Sequence, residues 1–100
     1  MESLNGSRSR RAIVMGATSG LGREIALELL KRGFIVGVCG RRLELLQEFE
    51  AAAPQRVFIR QIDVTAPDAP ERLLGLVEEM GGMDMYIHSS GIGYKNMALD

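Results

Sequence analysis

The strongest constraint on the fold of this chain is a repeated alternation between short apolar runs and longer amphipathic runs. Four runs have the length and composition of buried strands, and three carry apolar residues at helical spacing. The strand candidates are residues 12–15, 34–39, 57–62 and 85–88, and the helix candidates are residues 21–32, 42–53 and 70–80. Gly33, Pro54 and the Gly81-Gly82 pair stand where the three helices should end. The pattern predicts strands and helices in strict alternation.

Such an alternation implies right-handed crossovers between parallel strands. The strand candidates lack polar alternation, as expected for a sheet that helices cover on both faces. We predict an α/β fold: a partial Rossmann-type doubly wound parallel sheet with strand order 3-2-1-4, truncated after strand four. Residues 1–10 are predicted to form a flexible leader, and residues 11–100 the N-terminal part of a dinucleotide-binding domain.

Composition argues against several classes of function. Hydrophobic residues make up 46% of the chain and the formal net charge is −1, so we expect no nucleic-acid partner. With one cysteine, neither an intrachain disulfide nor a cysteine zinc site is expected, and we interpret Cys39 as a small buried hydrophobe. No run is long and apolar enough to cross a bilayer and no secretory signal precedes the first strand, so we expect no membrane partner and a cytoplasmic location.

The segment between the first strand and the first helix is rich in glycine and follows the pattern GxxxGxG. At such a junction the unpaired N–H groups at the start of the helix can bind an anion, and glycine lets the backbone approach a phosphate closely. A glycine-rich turn without a ligand is the competing interpretation, and the position between strand and helix favours binding. The predicted phosphate-binding residues are Gly16, Thr18, Ser19, Gly20, Leu21 and Gly22.

Three further elements follow the glycine loop, each at the end of a strand candidate. They are Gly40-Arg41-Arg42, Asp63-Val64-Thr65 and His88-Ser89-Ser90-Gly91. In order and spacing, the four elements together resemble the cofactor-binding part of short-chain dehydrogenases/reductases. The resemblance implies that Asp63 and Val64 lie beside the adenine, and that Ser89, Ser90 and Gly91 contact the cofactor.

The chain departs from the pattern of this family at two places. Met15 stands where the family usually has threonine, and His88 stands at the first asparagine of the family's Asn-Asn-Ala-Gly segment. No nucleophile or carboxylate accompanies His88 in the sequence, so we interpret it as structural rather than catalytic.

The end of the second strand bears on the choice of cofactor. A carboxylate there would hold the ribose of NAD, but the position is Gly40, and Arg41 and Arg42 follow it. A guanidinium group matches a phosphate dianion bidentately. The alternative is that the two arginines begin an exposed helix and pair with Glu44 and Glu48. We predict NADP(H), with NAD(H) as the less favoured cofactor.

The resemblance also implies a catalytic set of Ser, Tyr-x-x-x-Lys and a helper Asn. Neither Tyr86 nor Tyr94 has a lysine four residues further on, so we expect these residues beyond residue 100. The parent is then an NADP-dependent oxidoreductase acting on a carbonyl or alcohol substrate, and the hundred-residue chain alone is expected to be inactive.

Two other functions stay open on the sequence. A non-catalytic dinucleotide sensor on the same fold would lack the Tyr-x-x-x-Lys pair, and a methyltransferase would require an acid where Gly40 stands. We also expect self-association, because the fourth strand would have an unpaired edge.

Overall fold

The computed structural model describes residues 10–18 and 20–89, and within them strands and helices alternate as predicted. The strands are β1 (Arg11–Met15), β2 (Ile35–Gly40), β3 (Val57–Gln61) and β4 (Met85–His88), and the helices are α1 (Gly20–Lys31), α2 (Leu43–Ala52) and α3 (Ala69–Met80). The predicted leader lies outside the described residues except for Arg10, and its extent stays a prediction.

The four strands form one parallel sheet in the order β3-β2-β1-β4, which confirms the predicted order. Ala12 pairs with Val36 on one side of β1 and with Met85 on the other, and Val36 pairs in turn with Val57. All carboxyl ends therefore lie at one edge of the sheet, and all amino ends at the opposite edge.

Helices cover both faces of the sheet, because successive strand residues point to opposite faces. On one face, Ala12 and Val14 belong to a core with residues of α1 and α2. On the other face, Ile13 and Met15 pack with α3. Gly37 gives α3 the room it needs, since a Cβ there would stand 2.6 Å from the sulfur of Met80.

Two arginines bind helix ends at the amino edge of the sheet. Arg56 Nη1 donates hydrogen bonds to the carbonyl oxygens of Leu30 (2.9 Å) and Phe34 (3.3 Å), at the end of α1. Arg11 Nε donates to the carbonyl oxygen of Met80 (2.7 Å), the last residue of α3. Carbonyls of a last helical turn have no intrahelical partner, and a cation is favoured there by the helix dipole. These arginines therefore serve the fold.

The structure differs from the prediction in the faces of two helices. The helical spacing of Leu21, Ile25 and Leu29 predicts one buried stripe on α1, but Leu21 is 69% exposed. On α3, helical spacing predicts a buried face formed by Leu73, Val77 and Met80. Met80 is buried as predicted, whereas Leu73 and Val77 are partly buried beside the fully buried Leu76. The bounds of the elements shift by one residue at most.

Candidate functional site

The loops that follow the four strands meet at the carboxyl edge of the sheet and form the candidate site. The N–H groups of Gly16 and Ala17 donate to the carbonyl oxygen of Cys39 at 2.9 and 3.0 Å, which fastens the glycine loop to β2. The N–H of Ser89 donates to the carbonyl oxygen of Met15 at 2.8 Å, which fastens the end of β4 to β1. The strand order reverses beside β1, and ligands of doubly wound sheets bind at such a point.

Internal packing requires two glycines of the loop. A Cβ on Gly16 would overlap the carbonyl oxygen of Ser89, and Gly16 also has a φ of +82°. A Cβ on Gly22 would overlap the carbonyl oxygen of Gly16. These residues let the start of α1 pack directly on the ends of β1 and β4, so the close approach of a ligand is not needed to explain them.

Gly20 has a different environment from these two glycines. It is the first residue of α1, it is exposed, and no described atom lies within 4 Å of the position that its Cβ would take. The first turn of α1 carries no acidic residue. The start of α1 therefore has open space beside Gly20 and no acidic residue in its first turn, as expected for an anion site. Thr18 is half-buried next to this opening, and Ser19 lies outside the described residues.

Gly40 is buried at the end of β2, and its neighbour is the side chain of Thr18. A Cβ on Gly40 would stand 2.7 Å from Cγ2 of Thr18. A carboxylate side chain at this position would require Thr18 to move. The lack of an acid at the end of β2 is therefore built into the packing of the glycine loop.

Arg41 and Arg42 are both exposed, but their guanidinium groups differ in their partners. Arg42 Nε lies 3.7 Å from Glu44 Oε2, so the predicted alternative, an ion pair at the start of a helix, holds for Arg42. The Arg41 guanidinium makes no hydrogen bond or ion pair with any residue that the structure describes. Its charge lies close enough to Asp63 to contribute to lowering the pKa of that carboxyl group.

Asp63 forms a tight turn after β3. Both the N–H and the Oγ1 of Thr65 donate to Asp63 Oδ1, at 2.9 and 2.7 Å. These two hydrogen bonds, and after them the charge of Arg41, hold the pKa of Asp63 below its ordinary value. Oδ2 of Asp63 accepts no hydrogen bond within the described part of the chain, and Val64 next to it is exposed.

The end of β4 carries the histidine that departs from the family pattern. His88 Nδ1 lies 3.0 Å from the hydroxyl oxygen of Tyr86, and the two rings are 6.2 Å apart. Burial raises the pKa of Tyr86. Ser89 is half-buried, whereas Ser90 and Gly91 lie outside the described residues.

Other candidates for chemistry give no support for a second reaction centre. Cys39 is fully buried as predicted, and burial raises the pKa of its thiol to about 12, so the reactive thiolate is not populated at neutral pH. Residues 10–18 and 20–89 contain no group of three His, Cys, Asp or Glu side chains suited to a metal ion. Within the same residues, no helix combines the length and the hydropathy needed to cross a membrane.

A shallow groove runs from Thr18 between α1 and α2, with a volume of about 90 Å³. Arg23 and Glu48 stand on its walls, and Phe49 contributes to its apolar lining. Binding clefts for drug-sized ligands are several times larger, roughly 300 Å³ or more. The groove is therefore a minor surface depression beside the candidate site.

Two residues at the carboxyl edge were missed in the sequence. Gln61 Nε2 donates to the carbonyl oxygen of Arg41 at 2.9 Å, and Arg72 Nε donates to the carbonyl oxygen of Gln61 at 2.6 Å. The available signal in the sequence was Gln61, a polar residue at the end of an apolar strand. Its partner depends on the register between β2 and β3, which the local pattern does not contain.

Comparisons with known proteins agree with the geometry. The model of a family described as short chain dehydrogenase matches residues 10–100. An uncharacterized oxidoreductase of Myxococcus xanthus is 44% identical over 88 residues, which cover 84% of this chain and 35% of that protein. The NADP-dependent 3-hydroxy acid dehydrogenase YdfG of Escherichia coli is 33% identical over 81 residues, 80% of this chain and 33% of that protein.

A solved structure gives the same result at the level of the fold. The crystal structure of a short chain dehydrogenase/reductase family oxidoreductase from Aeromonas hydrophila has a TM-score of 0.78 and 31% sequence identity. The match covers 89% of this chain and 43% of that chain. The present chain spans about a third of the length of the curated relatives it matches.

Proposed function

The chain belongs to the short-chain dehydrogenase family, and on that premise we propose that it binds NADP(H) at the carboxyl edge of its sheet. The family consists of oxidoreductases that bind nicotinamide dinucleotides. Because the chain covers about a third of its relatives, the activity belongs to the whole protein. We propose that the whole protein transfers hydride between the cofactor and a carbonyl or alcohol substrate.

The glycine loop fits a pyrophosphate. Gly20 leaves open space in front of the first turn of α1, and that turn offers N–H groups without an opposing acid. A side chain at Gly20 would enter the space that the phosphates need. We assign to this subsite Gly16, Thr18, Ser19, Gly20, Leu21 and Gly22.

The single observation that carries the preference for NADP(H) is the state of Arg41. Its guanidinium is exposed and has no partner among the described residues, and the adjacent Gly40 presents no carboxylate to repel a phosphate. Arg42 is the second candidate for binding the phosphate, because its guanidinium already pairs with Glu44. A 2′-phosphate is the feature that separates NADP(H) from NAD(H), and a planar guanidinium binds it bidentately. The Escherichia coli relative, named as NADP-dependent, supports the assignment.

The remaining assignments follow the family pattern. Asp63 and Val64 lie after β3 next to Arg41, and Asp63 Oδ2 is open to a donor such as an adenine amino group. Ser89 follows β4 across the switch point, and Ser90 and Gly91 come next in the chain. We assign all five residues to cofactor contacts.

The residues of this chain bind and orient the cofactor. The bound dinucleotide supplies or accepts a hydride at its nicotinamide ring. General acid–base chemistry requires a positioned donor such as the tyrosine of a Tyr-x-x-x-Lys pair, and this sequence contains no such pair. We therefore propose that the hundred-residue chain alone transfers no hydride.

The test is the Arg41→Ala variant of the full-length protein. Loss of a charge-assisted phosphate contact should weaken NADP(H) binding by about tenfold or more and leave NAD(H) binding within about twofold. Arg32→Ala is the matched control, because Arg32 is an exposed arginine that pairs with Glu28 on α1. Isothermal titration with both cofactors measures the effect.

Equal weakening of both cofactors, or of neither, would contradict the assignment of Arg41. Binding with an intact preference but no turnover of any carbonyl or alcohol substrate would instead favour the sensor. These two outcomes separate the identity of the cofactor from the catalytic role.

A second proposal concerns β4. Met85 and Tyr86 are exposed, and on the side away from β1 no described strand pairs with β4. An open apolar strand edge is a template for another chain. We propose that the hundred-residue chain self-associates through Met85–His88. Sedimentation over a concentration series should show mass increasing with concentration, and a strictly monomeric folded species would contradict it.

A further inference from the structure

A glutamine side chain holds the backbone of Arg41. Gln61 Nε2 donates a 2.9 Å hydrogen bond to the carbonyl oxygen of Arg41. The backbone ladder between β2 and β3 ends one step earlier, where the N–H of Ile62 donates to the carbonyl oxygen of Gly40 at 2.9 Å. The amide of Gln61 therefore adds one more bond beyond the ladder, at the residue whose guanidinium is assigned to the phosphate.

Gln61 is itself anchored to a helix. Arg72 Nε donates to the carbonyl oxygen of Gln61 at 2.6 Å, and Arg72 belongs to α3, where its N–H donates to the carbonyl oxygen of Asp68. A continuous set of hydrogen bonds thus connects α3, the end of β3 and Arg41. The amide is held at the end of the strand and is available to fix a neighbour.

The neighbouring Arg42 is held in a different way. Its carbonyl oxygen accepts hydrogen bonds from the N–H groups of Leu45 and Leu46, in the first turn of α2. The carbonyl oxygen of Arg41 takes no part in that helix, and its recorded donor is the side chain of Gln61. Loss of the amide would free the backbone of Arg41 while α2 keeps its start.

We propose that Gln61 is a positioning residue for NADP(H): it fixes the backbone of Arg41 so that the guanidinium is held ready for the 2′-phosphate. This inference rests on the proposed function of Arg41. An exposed arginine loses side-chain and loop freedom when it binds a ligand, and fixing its backbone beforehand reduces that cost. Gln61 thereby favours the cofactor that carries the extra phosphate.

The experiment measures the ratio of the dissociation constants for NAD(H) and NADP(H) in the full-length protein. Gln61→Met keeps the length of the side chain and removes the donor, and it should lower the ratio by about threefold, as expected for one exposed hydrogen bond. Gln61→Glu replaces the donor by an acceptor facing a carbonyl, and should lower the ratio further. Gln55→Met is the control, because Gln55 lies just before the amino end of the same strand.

The same substitution is then made in an Arg41→Ala background. If Gln61 acts through Arg41, Gln61→Met changes the ratio there by less than about 1.5-fold, because the interacting group is gone. Thermal unfolding of each variant shows whether the protein is folded. A purely structural role would alter the affinity for both cofactors together and leave the ratio unchanged.

The possible failures can be told apart. If Arg41→Ala lowers the ratio but Gln61→Met does not, or lowers it equally in both backgrounds, the positioning role is wrong and the proposed function stands. If the wild-type protein shows no preference, or Arg41→Ala leaves it unchanged, the proposed function fails and the role of Gln61 fails with it.

Discussion

The arginines at the ends of helices and strands have different partners at the two edges of the sheet. At the amino edge, Arg11 and Arg56 donate hydrogen bonds to carbonyl oxygens at the ends of α3 and α1. At the carboxyl edge, Arg41 and Arg42 are exposed, and neither guanidinium donates to a described backbone carbonyl. The Arg42 guanidinium pairs with one glutamate, whereas the Arg41 guanidinium makes no hydrogen bond or ion pair with a described residue.

The direction of the chain explains this difference. In a right-handed β-α-β repeat every helix ends at the amino edge, where its last carbonyl groups have no intrahelical partner. Every helix begins at the carboxyl edge, where the unpaired groups are N–H donors. A guanidinium has only donors, so it can satisfy helix ends at the amino edge but not helix starts at the carboxyl edge. At the carboxyl edge, Arg72 instead donates to the strand-end carbonyl oxygen of Gln61, and the Arg41 guanidinium remains available to an anionic ligand.

The largest expected effect tests how much the carboxyl edge also serves the fold. Gly22→Ala places a methyl group on the carbonyl oxygen of Gly16, and should reduce the free energy of unfolding by about 2–3 kcal/mol through overpacking. Gly75→Ala is the matched change within α3, where the nearest atom is the flexible Nη1 of Arg60 at 3.4 Å. It should stabilise the helix by about 0.5–1 kcal/mol. Urea unfolding of the full-length variants measures both, and equal stabilities would contradict the packing role of Gly22.

The next effect concerns the amino edge. Arg11→Met keeps an apolar stem and removes the hydrogen bond to Met80, which should reduce the free energy of unfolding by about 2 kcal/mol. Cofactor affinity should stay within about twofold, because the change lies at the edge opposite the site. Arg10→Met, at the exposed neighbouring residue, is the control. A large loss of affinity without a loss of stability would show that the two edges are not separate.

A pair of glycines at opposite ends of α1 gives a finer comparison. Gly20 and Gly33 have φ values of +60° and +89°, and neither has a described atom near the position of its Cβ. Alanine at either position should cost about 1 kcal/mol of stability from left-handed backbone strain. Affinity for the dinucleotide should fall about tenfold for Gly20→Ala alone, because the proposed phosphate site lies only at that end of the helix. Similar affinities for the two variants would place the phosphate site elsewhere.

The smallest effect is a pH dependence at the carboxyl edge. Hydrogen bonds from Thr65 hold the pKa of Asp63 below its ordinary value of 3.8. The resulting stabilisation is present above that value and is lost as the pH falls through the lower folded-state pKa. Asp63→Asn should therefore be less stable than wild type near neutral pH, and the difference should shrink below about pH 4. Chemical denaturation across that range checks it, and a difference that grows with acid would contradict the sign.

Much of the fold follows from local patterns. The apolar runs predicted the strands, and the doubly wound class of fold that their alternation indicates predicted the order β3-β2-β1-β4. The burial of single side chains was less predictable from the sequence. Helical spacing placed Leu21 on the buried stripe, but Leu21 is 69% exposed. Periodicity gives the direction of a side chain, whereas burial depends on which other elements pack against it.

In the candidate site too, some features could be predicted from the sequence and others depended on the tertiary structure. The spacing of Gly16, Gly20 and Gly22 predicted a loop at a helix start, and Arg41 followed from its place after the second strand. The spacing could not show which glycine is open, because that depends on where the carbonyl oxygens of Gly16 and Ser89 lie. The prediction of Ser19, Ser90 and Gly91 as cofactor contacts falls outside the described residues and stays a prediction.

The sequence by itself determined the class of fold and predicted the edge at which a ligand should bind, because both depend on the order and period of residues along the chain. Only the tertiary structure decided which polar groups meet. Arg11 and Met80 lie 69 residues apart, and Gln61 reaches Arg41 through the register of two strands. A hydrogen bond requires its atoms within about 3 Å in a suitable direction, and that geometry is set by the packing of whole helices and strands.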